Sequence, residues 1–201
     1  MTESHDKLIE LDVSRSIWER FFSVFPLVII GTRDADGVPD LAPKHLAIPL
    51  SWESHFGFVC SQAHRTYQNI RRTGEFTVTY ARPSQVVLAS LAATPRCEDH
   101  SKPIVEALST FPAKTVDAVF LKDGYLFLEC RSTKIYDDFG RNSLIAGEIV
   151  AARVAPEAAK QSDQDDQDLL MSAPLLAYLY PGRFAAISQS NKLPFPAGFK
   201  R

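Results

Sequence analysis

The sequence has no marked excess of charge of either sign. Its 201 residues include 22 Lys and Arg against 24 Asp and Glu, for a formal net charge of −2. A general nucleic-acid binder needs a basic field that this balance does not supply. No apolar run approaches the roughly 20 residues of a membrane-spanning helix, so no membrane partner is expected. Residues 1–15 are polar and hold no signal-peptide core, which favours a cytoplasmic location.

Cysteine is scarce and follows no metal or disulfide spacing. The three cysteines are Cys60, Cys97 and Cys130, and no C-x-x-C pair occurs. Cys60 and Cys130 lie in apolar, strand-like segments, which indicates reduced and buried thiols. Cys97 belongs to the run RCEDH at residues 96–100. That run offers too few ligands for a metal site and is interpreted as a surface loop.

Several catalytic and nucleotide-binding signatures are also missing. The sequence contains no G-x-G-x-x-G, no P-loop, no G-x-S-x-G and no H-E-x-x-H. Their absence removes the main support for a Rossmann domain, a hydrolase or a metalloenzyme. Hydride chemistry on a bound cofactor needs little of this equipment, because the protein mainly positions and polarises the cofactor.

What the sequence does contain is a series of β-rich segments at hairpin spacing, with a few short helical patterns between them. Pro39, Pro43 and Pro49 require that the second strand be an edge, bulged or interrupted. The pattern predicts a β-rich α+β fold, compatible with an antiparallel barrel capped by short helices. The predicted strands are 27–33, 38–50, 55–61, 75–81, 124–136 and 143–154, and the predicted helices are 14–25, 64–73, 84–92 and 102–108.

No repeat or domain boundary interrupts the chain, so residues 1–201 are expected to form one domain. Residues 137–142 are interpreted as a polar hairpin loop. The acidic stretch 161–168, QSDQDDQD, is interpreted as a solvated connector. The chain turns apolar again from residue 169, which predicts that the segment 169–201 packs back on the same body or on a second subunit before it ends in an extended tail.

The first candidate site is the segment formed by Ala42, Pro43, Lys44 and His45. Pro43 interrupts the strand and can free neighbouring backbone groups from the ladder. Free N–H and C=O groups suit the edge of an isoalloxazine ring, which is a row of donors and acceptors. Lys44 and His45 add a positive charge and a donor that would stabilise a reduced flavin. The alternative is a solvated strand lysine beside a hydrogen-bonded surface histidine.

The second candidate site joins a strand to a helix at residues 61–69. A helix N-terminus presents unpaired N–H groups and a partial positive charge, which suit a phosphate. Hydroxyl and basic side chains add further bonds to phosphate oxygens. The alternative is a serine N-cap followed by a solvated basic helix face. The candidate cofactor-binding residues here are Ser61, Gln62, His64, Arg65, Thr66 and Asn69.

Two further places are candidates for substrate contacts. Asn142 and Ser143 lie between two long strands, where loops often line sites. Arg183 could bind an anion, and Phe184 could cover a ring. The alternatives are an ordinary polar hairpin connection in the first case and a turn with a packed aromatic side chain in the second.

Taken in order, four segments resemble the flavin reductase-like, FMN-binding split-barrel family: VIIGTRDADGVPDLAPKH, FGFVCSQAHRTYQNIRRTGEFTV, LFLECR and LIAGEIVAARV. The resemblance covers roughly residues 20–155, with a weaker match at YPGRFAAIS. It implies a six-stranded antiparallel split β-barrel, a homodimer and FMN near the subunit interface. It also implies that residues 42–45 follow the flavin ring and that Ser61, His64, Thr66 and Asn69 lie near its phosphate.

The resemblance further implies an FMN-dependent oxidoreductase. NAD(P)H would pass a hydride to FMN, and electrons would continue to a flavin, oxygen, a small organic acceptor or a partner oxygenase. Phe56, Phe139 and Phe184 are candidates to cover the ring. Many relatives carry a histidine before the strand that matches LIAGEIV, but this chain reads DDFGRNS there. The alternative is a protein that holds FMN, or less readily pyridoxal phosphate, without turnover.

Overall fold

A computed structural model describes residues 8–98, 101–160, 165–196 and 198. Within those ranges the chain forms twelve strands, four α-helices and three short 3-10 helices at Trp18–Arg20, Pro83–Gln85 and Pro156–Ala158. The strands are β1 (Ser23–Pro26), β2 (Val28–Arg33), β3 (Pro39–Lys44), β4 (Ala47–Pro49), β5 (His55–Ser61), β6 (Glu75–Tyr80), β7 (Thr110–Pro112), β8 (Val119–Leu121), β9 (Leu126–Phe139), β10 (Asn142–Val154), β11 (Leu175–Tyr180) and β12 (Arg183–Ile187). The α-helices are α1 (Arg65–Thr73), α2 (Val86–Leu91), α3 (Pro103–Ala107) and α4 (Asp166–Ser172).

The main body is a seven-stranded antiparallel sheet with the order β3-β2-β6-β9-β10-β5-β4. Strands β3 and β4 are at opposite edges of this order, yet only His45 and Leu46 connect them. Such a short connection requires the sheet to curl until its two edges meet, which makes a half-barrel with a seam at residues 45–46. The predicted split-barrel class is therefore confirmed, with seven strands in the main sheet rather than six.

The three prolines of the second predicted strand lie in edge strands, where a residue without a backbone N–H need not break a hydrogen-bonded ladder. Pro39 and Pro43 belong to the edge strand β3, and Pro49 belongs to the opposite edge strand β4. The prediction of an edge or interrupted strand is confirmed, because the segment is an edge and is also broken at the seam.

Two apolar clusters hold the sheet together. The barrel interior contains side chains from β2, β5, β6, β9 and β10, and Tyr67 and Ile70 of α1 close it. A second cluster joins the outer face of β2 and β3 to α2 and β8. Phe56 is 1% exposed within the barrel interior, so the prediction that it covers a flavin ring is wrong. Cys60 and Cys130 are buried free thiols, as predicted.

The C-terminal apolar segment packs back on the same chain. Strands β11 and β12 form a hairpin, and β11 pairs with β1 to give a three-stranded sheet. The predicted acidic connector is only partly a connector, because α4 begins at Asp166 after the Asp165 side chain accepts a hydrogen bond from the Gln167 N–H. Residues 161–164 of that stretch lie outside the described residues.

Two local predictions are wrong. Residues 14–25 were expected to be helical, but they form the 3-10 turn at Trp18–Arg20 and then β1. Residues 23–26 form a strand because their backbone groups pair with those of β11, and the local periodicity carries no information about that distant partner. The loop predicted at 137–142 is mostly strand, since β9 continues to Phe139 and β10 begins at Asn142. None of the described helices is long and apolar enough to cross a membrane.

Candidate functional site

A cavity of about 440 Å³ lies between the end of β3 and the start of α1, and we call it the basic cavity. It brings the two predicted stretches together, because residues 42–44 form one wall and residues 63–66 another. The remaining wall comes from residues 92–96 and Lys102, which the sequence did not connect with a binding site. Its side chains include the cations Lys44, Arg65, Arg96 and Lys102, so the cavity suits an anion.

The start of α1 faces this cavity without a side-chain cap. His64 holds an extended conformation at φ −79° and ψ 143° before the helix begins. His64 makes no side-chain cap bond to the first turn of α1, which contains no acidic residue, and within that turn the Tyr67 N–H donates to the buried Cys60 sulfur. The N–H groups of residues 65–66 and the partial positive charge of the helix start are therefore available to an anion. Gly74 ends the helix at φ 71°, in the left-handed conformation typical of a glycine C-cap.

Lys44 and His64 are in contact across the cavity. The Lys44 Nζ lies 3.4 Å from the His64 Nδ1. Because an ammonium group can only donate, Nδ1 must accept, and the neutral ring carries its proton on Nε2. Burial, followed by the charge of Lys44, lowers the pKa of His64 below its usual 6.5. His64 is thus a neutral side chain with one N–H left for another acceptor.

Stability is expected to fall as the pH drops below about 6.5. Burial and then Lys44 lower the pKa of His45 and His64 from 6.5 in the folded chain. The unfolded chain therefore binds more protons below pH 6.5, and the stability present above that pH is lost towards the lower folded values. We expect the free energy of urea unfolding to decrease between pH 7 and about pH 5, and to decrease less in His64→Gln. A wild-type free energy that stays flat or rises over that range would contradict the assignment.

A buried carboxylate holds the far wall of the basic cavity. Asp40 is 3% exposed, and its Oδ1 lies 2.6 Å from an Arg96 guanidinium nitrogen and 4.0 Å from the Lys102 Nζ. The Thr66 hydroxyl donates to its Oδ2 at 3.4 Å. The Lys102 Nζ also donates to the carbonyls of Leu41 and Ala92, at 2.9 and 2.6 Å. These contacts fix the segment 92–96 against β3, and the only sequence signal for them was scattered basic residues.

Arg65 differs from the other cations of the cavity. It lines the basic cavity at the first position of α1. No ion pair or side-chain hydrogen bond of Arg65 occurs within the described part of the chain, whereas Arg96 and Lys102 face Asp40. The Arg65 guanidinium is therefore the cation of this cavity that is most readily available to a bound anion.

A second cavity, about 390 Å³, adjoins the basic cavity, and we call it the seam cavity. The two cavities share Pro43 and Ala93. Apolar and aromatic side chains dominate its lining, together with the predicted residues His45, Arg183 and Phe184. The His45 ring lies 4.7 Å from the Tyr178 ring, centre to centre. A molecule with an anionic end and a planar apolar end matches this pair of cavities in shape and chemistry.

Five predicted residues lie outside both cavities, and each has another contact. The Ser61 hydroxyl accepts from the Ala63 N–H at 3.3 Å, and the Asn69 amide donates to the Thr32 hydroxyl at 2.9 Å. Gln62 and Ser143 both donate to Asp137, at 3.4 and 2.6 Å. Asn142 is paired with Ser61 in the sheet. A direct role for Ser61, Gln62, Asn69, Asn142 or Ser143 in binding stays a prediction.

The described residues contain no group of three or more His, Cys, Asp and Glu side chains that could hold a metal ion.

The family model of the flavin reductase like domain matches residues 23–188. The chain belongs to this family. The match includes every strand from β1 to β12 and both cavities, so the flavin reductase-like assignment covers the part of the chain that forms the site. An uncharacterized protein from Methanothermobacter thermautotrophicus is 26% identical over 183 residues, which are 87% of this chain and 85% of that protein.

Solved structures share the flavin reductase-like fold. The nitrilotriacetate monooxygenase component B from Bacillus cereus superposes with a TM-score of 0.80 at 14% identity, over 92% of this chain and 98% of that one. Flavoredoxin from Methanosarcina acetivorans superposes with a TM-score of 0.76 at 17% identity, over 96% of this chain and 97% of that one. At these identities the similarity establishes the fold.

Proposed function

We propose that the protein is an FMN-dependent oxidoreductase that takes a hydride from NAD(P)H and passes electrons to a flavin or another small-molecule acceptor. The observation that carries the proposal is that residues 42–44 and residues 63–66 line one cavity, next to a second and more apolar one. The family match adds flavin-related oxidoreduction as the shared chemistry.

The residues present fit FMN. Arg65 and the start of α1 would hold the phosphate in the basic cavity. The Thr66 hydroxyl would join them by turning from the Asp40 carboxylate, to which it donates in this structure. The flavin ring would then enter the seam cavity past Pro43, the residue that both cavities share. When bound, FMN supplies a ring that accepts a hydride from NAD(P)H and releases electrons to an acceptor.

Lys44 and His45, the residues predicted to stabilise the reduced flavin, lie at different ends of this site. Lys44 was expected beside the ring, but its contact with His64 favours a role at the phosphate. Its charge there would offset the phosphate charge and keep His64 neutral. His45 lines the seam cavity, and burial lowers its pKa, so it would meet the ring as a neutral donor or acceptor. The guanidinium of Arg183, which is exposed at the rim, would serve the substrate.

A homodimer is part of the proposal. Within residues 18–24 and 46–52, five large apolar side chains are at least half exposed: Trp18 (54%), Phe22 (65%), Val24 (64%), Ile48 (54%) and Trp52 (100%). Exposed apolar groups of this size indicate a surface that another protein covers. A second copy of the chain is the partner we propose for it. A partner oxygenase is a further possible acceptor, since one similar fold is component B of a monooxygenase.

The protein is expected to purify yellow and to release FMN on denaturation. Anaerobic addition of NADH or NADPH should bleach the flavin absorbance, because a hydride transferred to the ring removes its oxidised chromophore. Chromatography of the released cofactor separates FMN from FAD and from pyridoxal phosphate. A colourless protein that binds no added FMN would overturn the proposal. A yellow protein that is inert to both nicotinamides would favour the alternative, an FMN-holding protein without turnover.

A further inference from the structure

A third cavity adjoins the basic cavity, and we call it the turn cavity because Asp34 and Asp36 of the β2–β3 turn line it. Its volume is about 450 Å³, which is within the range of small-molecule sites. It shares Arg65, Arg96 and Lys102 with the basic cavity and no residue with the seam cavity. The basic cavity therefore lies between the other two, and the proposed FMN site leaves the turn cavity unfilled.

The charges of the turn cavity differ from one part of its lining to the other. All the residues that it shares with the basic cavity are cations, whereas the carboxylates of Asp34, Asp36 and Glu106 line the turn cavity alone. The Asp34 Oδ1 accepts from the N–H groups of Asp36 and Val38, at 3.0 and 2.9 Å. The Asp36 and Glu106 side chains have no hydrogen bond or ion pair within the described ranges. Their carboxylates are therefore available to accept hydrogen bonds from a ligand.

The same cavity has an apolar wall, which consists of Val38, Pro39, Val105 and Leu108. Val105 and Leu108 are 7% and 5% exposed, and Leu108 belongs to the second apolar cluster, so the core holds this wall in place. A flat heterocyclic base suits such a wall, because it can remove its faces from water against apolar side chains.

The order of the three cavities matches the order of the chemical groups in FAD. FAD is FMN extended by a second phosphate, a ribose with two neighbouring hydroxyl groups and an adenine base. With the flavin ring in the seam cavity and the first phosphate in the basic cavity, the second phosphate would lie at the three shared cations. The ribose hydroxyls would donate to Asp36 or Glu106, since acidic side chains commonly bind the ribose of a dinucleotide. The adenine would then lie against the apolar wall.

We propose that the turn cavity binds the adenosine half of FAD, so that the chain accepts FAD as well as FMN. The inference rests on the proposed function, because the adenosine reaches the turn cavity through a flavin phosphate held in the basic cavity. NAD(P)H fits the turn cavity less well. With its adenosine there, the phosphate of a bound flavin would occupy the basic cavity and separate the nicotinamide from the flavin ring.

Isothermal titration calorimetry of the flavin-free, full-length protein with FMN and with FAD tests the proposal. FAD should bind at least as tightly as FMN. Val38 lines the turn cavity and is 49% exposed, so Val38→Trp should fill the space without disturbing the core. This variant should weaken FAD binding by about tenfold or more and keep FMN affinity within about twofold, which also shows that it folds. Val154→Trp makes the same change at a strand valine that is 45% exposed and outside the three cavities, and should leave both affinities unchanged.

Glu106→Gln tests the acidic part of the lining with almost no change of shape. It should weaken FAD binding by about three- to tenfold, the value of one hydrogen bond, and keep FMN affinity within about twofold. Without a ribose contact, the loss of a negative charge would instead strengthen binding of the anionic dinucleotide. Glu148→Gln, at an exposed position of β10 outside the three cavities, changes the net charge equally and should affect neither flavin.

Three results would overturn the inference: FAD binding that is weaker than FMN binding, equal losses of both flavins in Val38→Trp, or unchanged FAD affinity in that variant. A raised KM for NADH in Val38→Trp together with unchanged FAD affinity would assign the turn cavity to the nicotinamide nucleotide. Failure of the proposed function gives a different result. A protein that binds FMN and not FAD keeps the flavin assignment and loses this site, whereas a protein that binds neither flavin loses both.

Discussion

Arg65→Met is expected to weaken FMN binding by about ten- to a hundredfold, while riboflavin binding changes by less than about twofold. A hydrogen bond to a charged group contributes about 1.5–3 kcal/mol, and that energy sets the size of the loss. Arg65 lines the basic cavity at the first position of α1 and has no ion-pair partner within the described ranges. Its removal therefore leaves no buried carboxylate unpaired. Titration of flavin-free protein, followed by quenching of flavin fluorescence, measures both affinities.

Arg71→Met is the matched control for this experiment. Arg71 lies on the same helix, six residues further along, and its removal changes the net charge by the same amount. It faces Asp137 at 3.7 Å and does not line the basic cavity. FMN affinity in Arg71→Met should equal that of the wild type. Equal losses of FMN and riboflavin affinity in Arg65→Met would place the phosphate elsewhere.

The elements that position this site were largely predictable because their signals are local. Gly74 ends α1 in the left-handed conformation that glycine adopts most readily. The turn at residues 34–37 also uses a glycine, with φ 76° at Gly37. Pro39 and Pro43 restrict their strand to a sheet edge through a missing donor, and the edge is where the seam and the basic cavity form. Local chemistry in these cases agrees with the global fold.

The rest of the site depends on contacts between distant parts of the chain. Asp40 and Arg96 are 56 residues apart, and only the packing of the segment 92–96 on β3 makes them partners. The pairing of β1 with β11 joins residues 23–26 to residues 177–180, and it overrides a helix-like periodicity. No single-segment pattern contains that information, because side-chain spacing reports local structure and not which strand lies next to it.

Asn69 shows why the residue type alone does not distinguish a ligand contact from a structural contact. An amide one turn after a helix start is a reasonable phosphate ligand, and the family resemblance also placed it there. In the structure its side chain is 3% exposed and donates to the Thr32 hydroxyl. This hydrogen bond fastens α1 to β2 and so helps to hold the helix start at the cavity. An amide side chain can donate a hydrogen bond either to a neighbouring strand or to a ligand, so its type does not show which of the two it does.

Gly31→Ala is expected to destabilise the fold by about 3 kcal/mol or more, which is a large part of the 5–15 kcal/mol that holds a typical domain together. Gly31 lies in the middle of β2, between Leu41 of β3 and Thr77 of β6. An added Cβ would collide with the Val119 carbonyl oxygen of β8 and lie 2.5 Å from the Thr77 hydroxyl oxygen. Val119 is 3% exposed in the second apolar cluster, so its backbone has little room to move.

Gly140→Ala separates this steric clash from the general cost of replacing glycine. Gly140 is in the β9–β10 turn at φ 65°, and an added Cβ there would meet no atom within 4 Å. Its substitution should cost only about 1–2 kcal/mol, the strain of a left-handed alanine. Urea unfolding of both variants at one pH measures the difference. If Gly31→Ala were no less stable than Gly140→Ala, β8 would not pack on β2 as closely as described. The packing of β8 would then not explain how β2 and β3 hold residues 40–44 in the wall of the basic cavity.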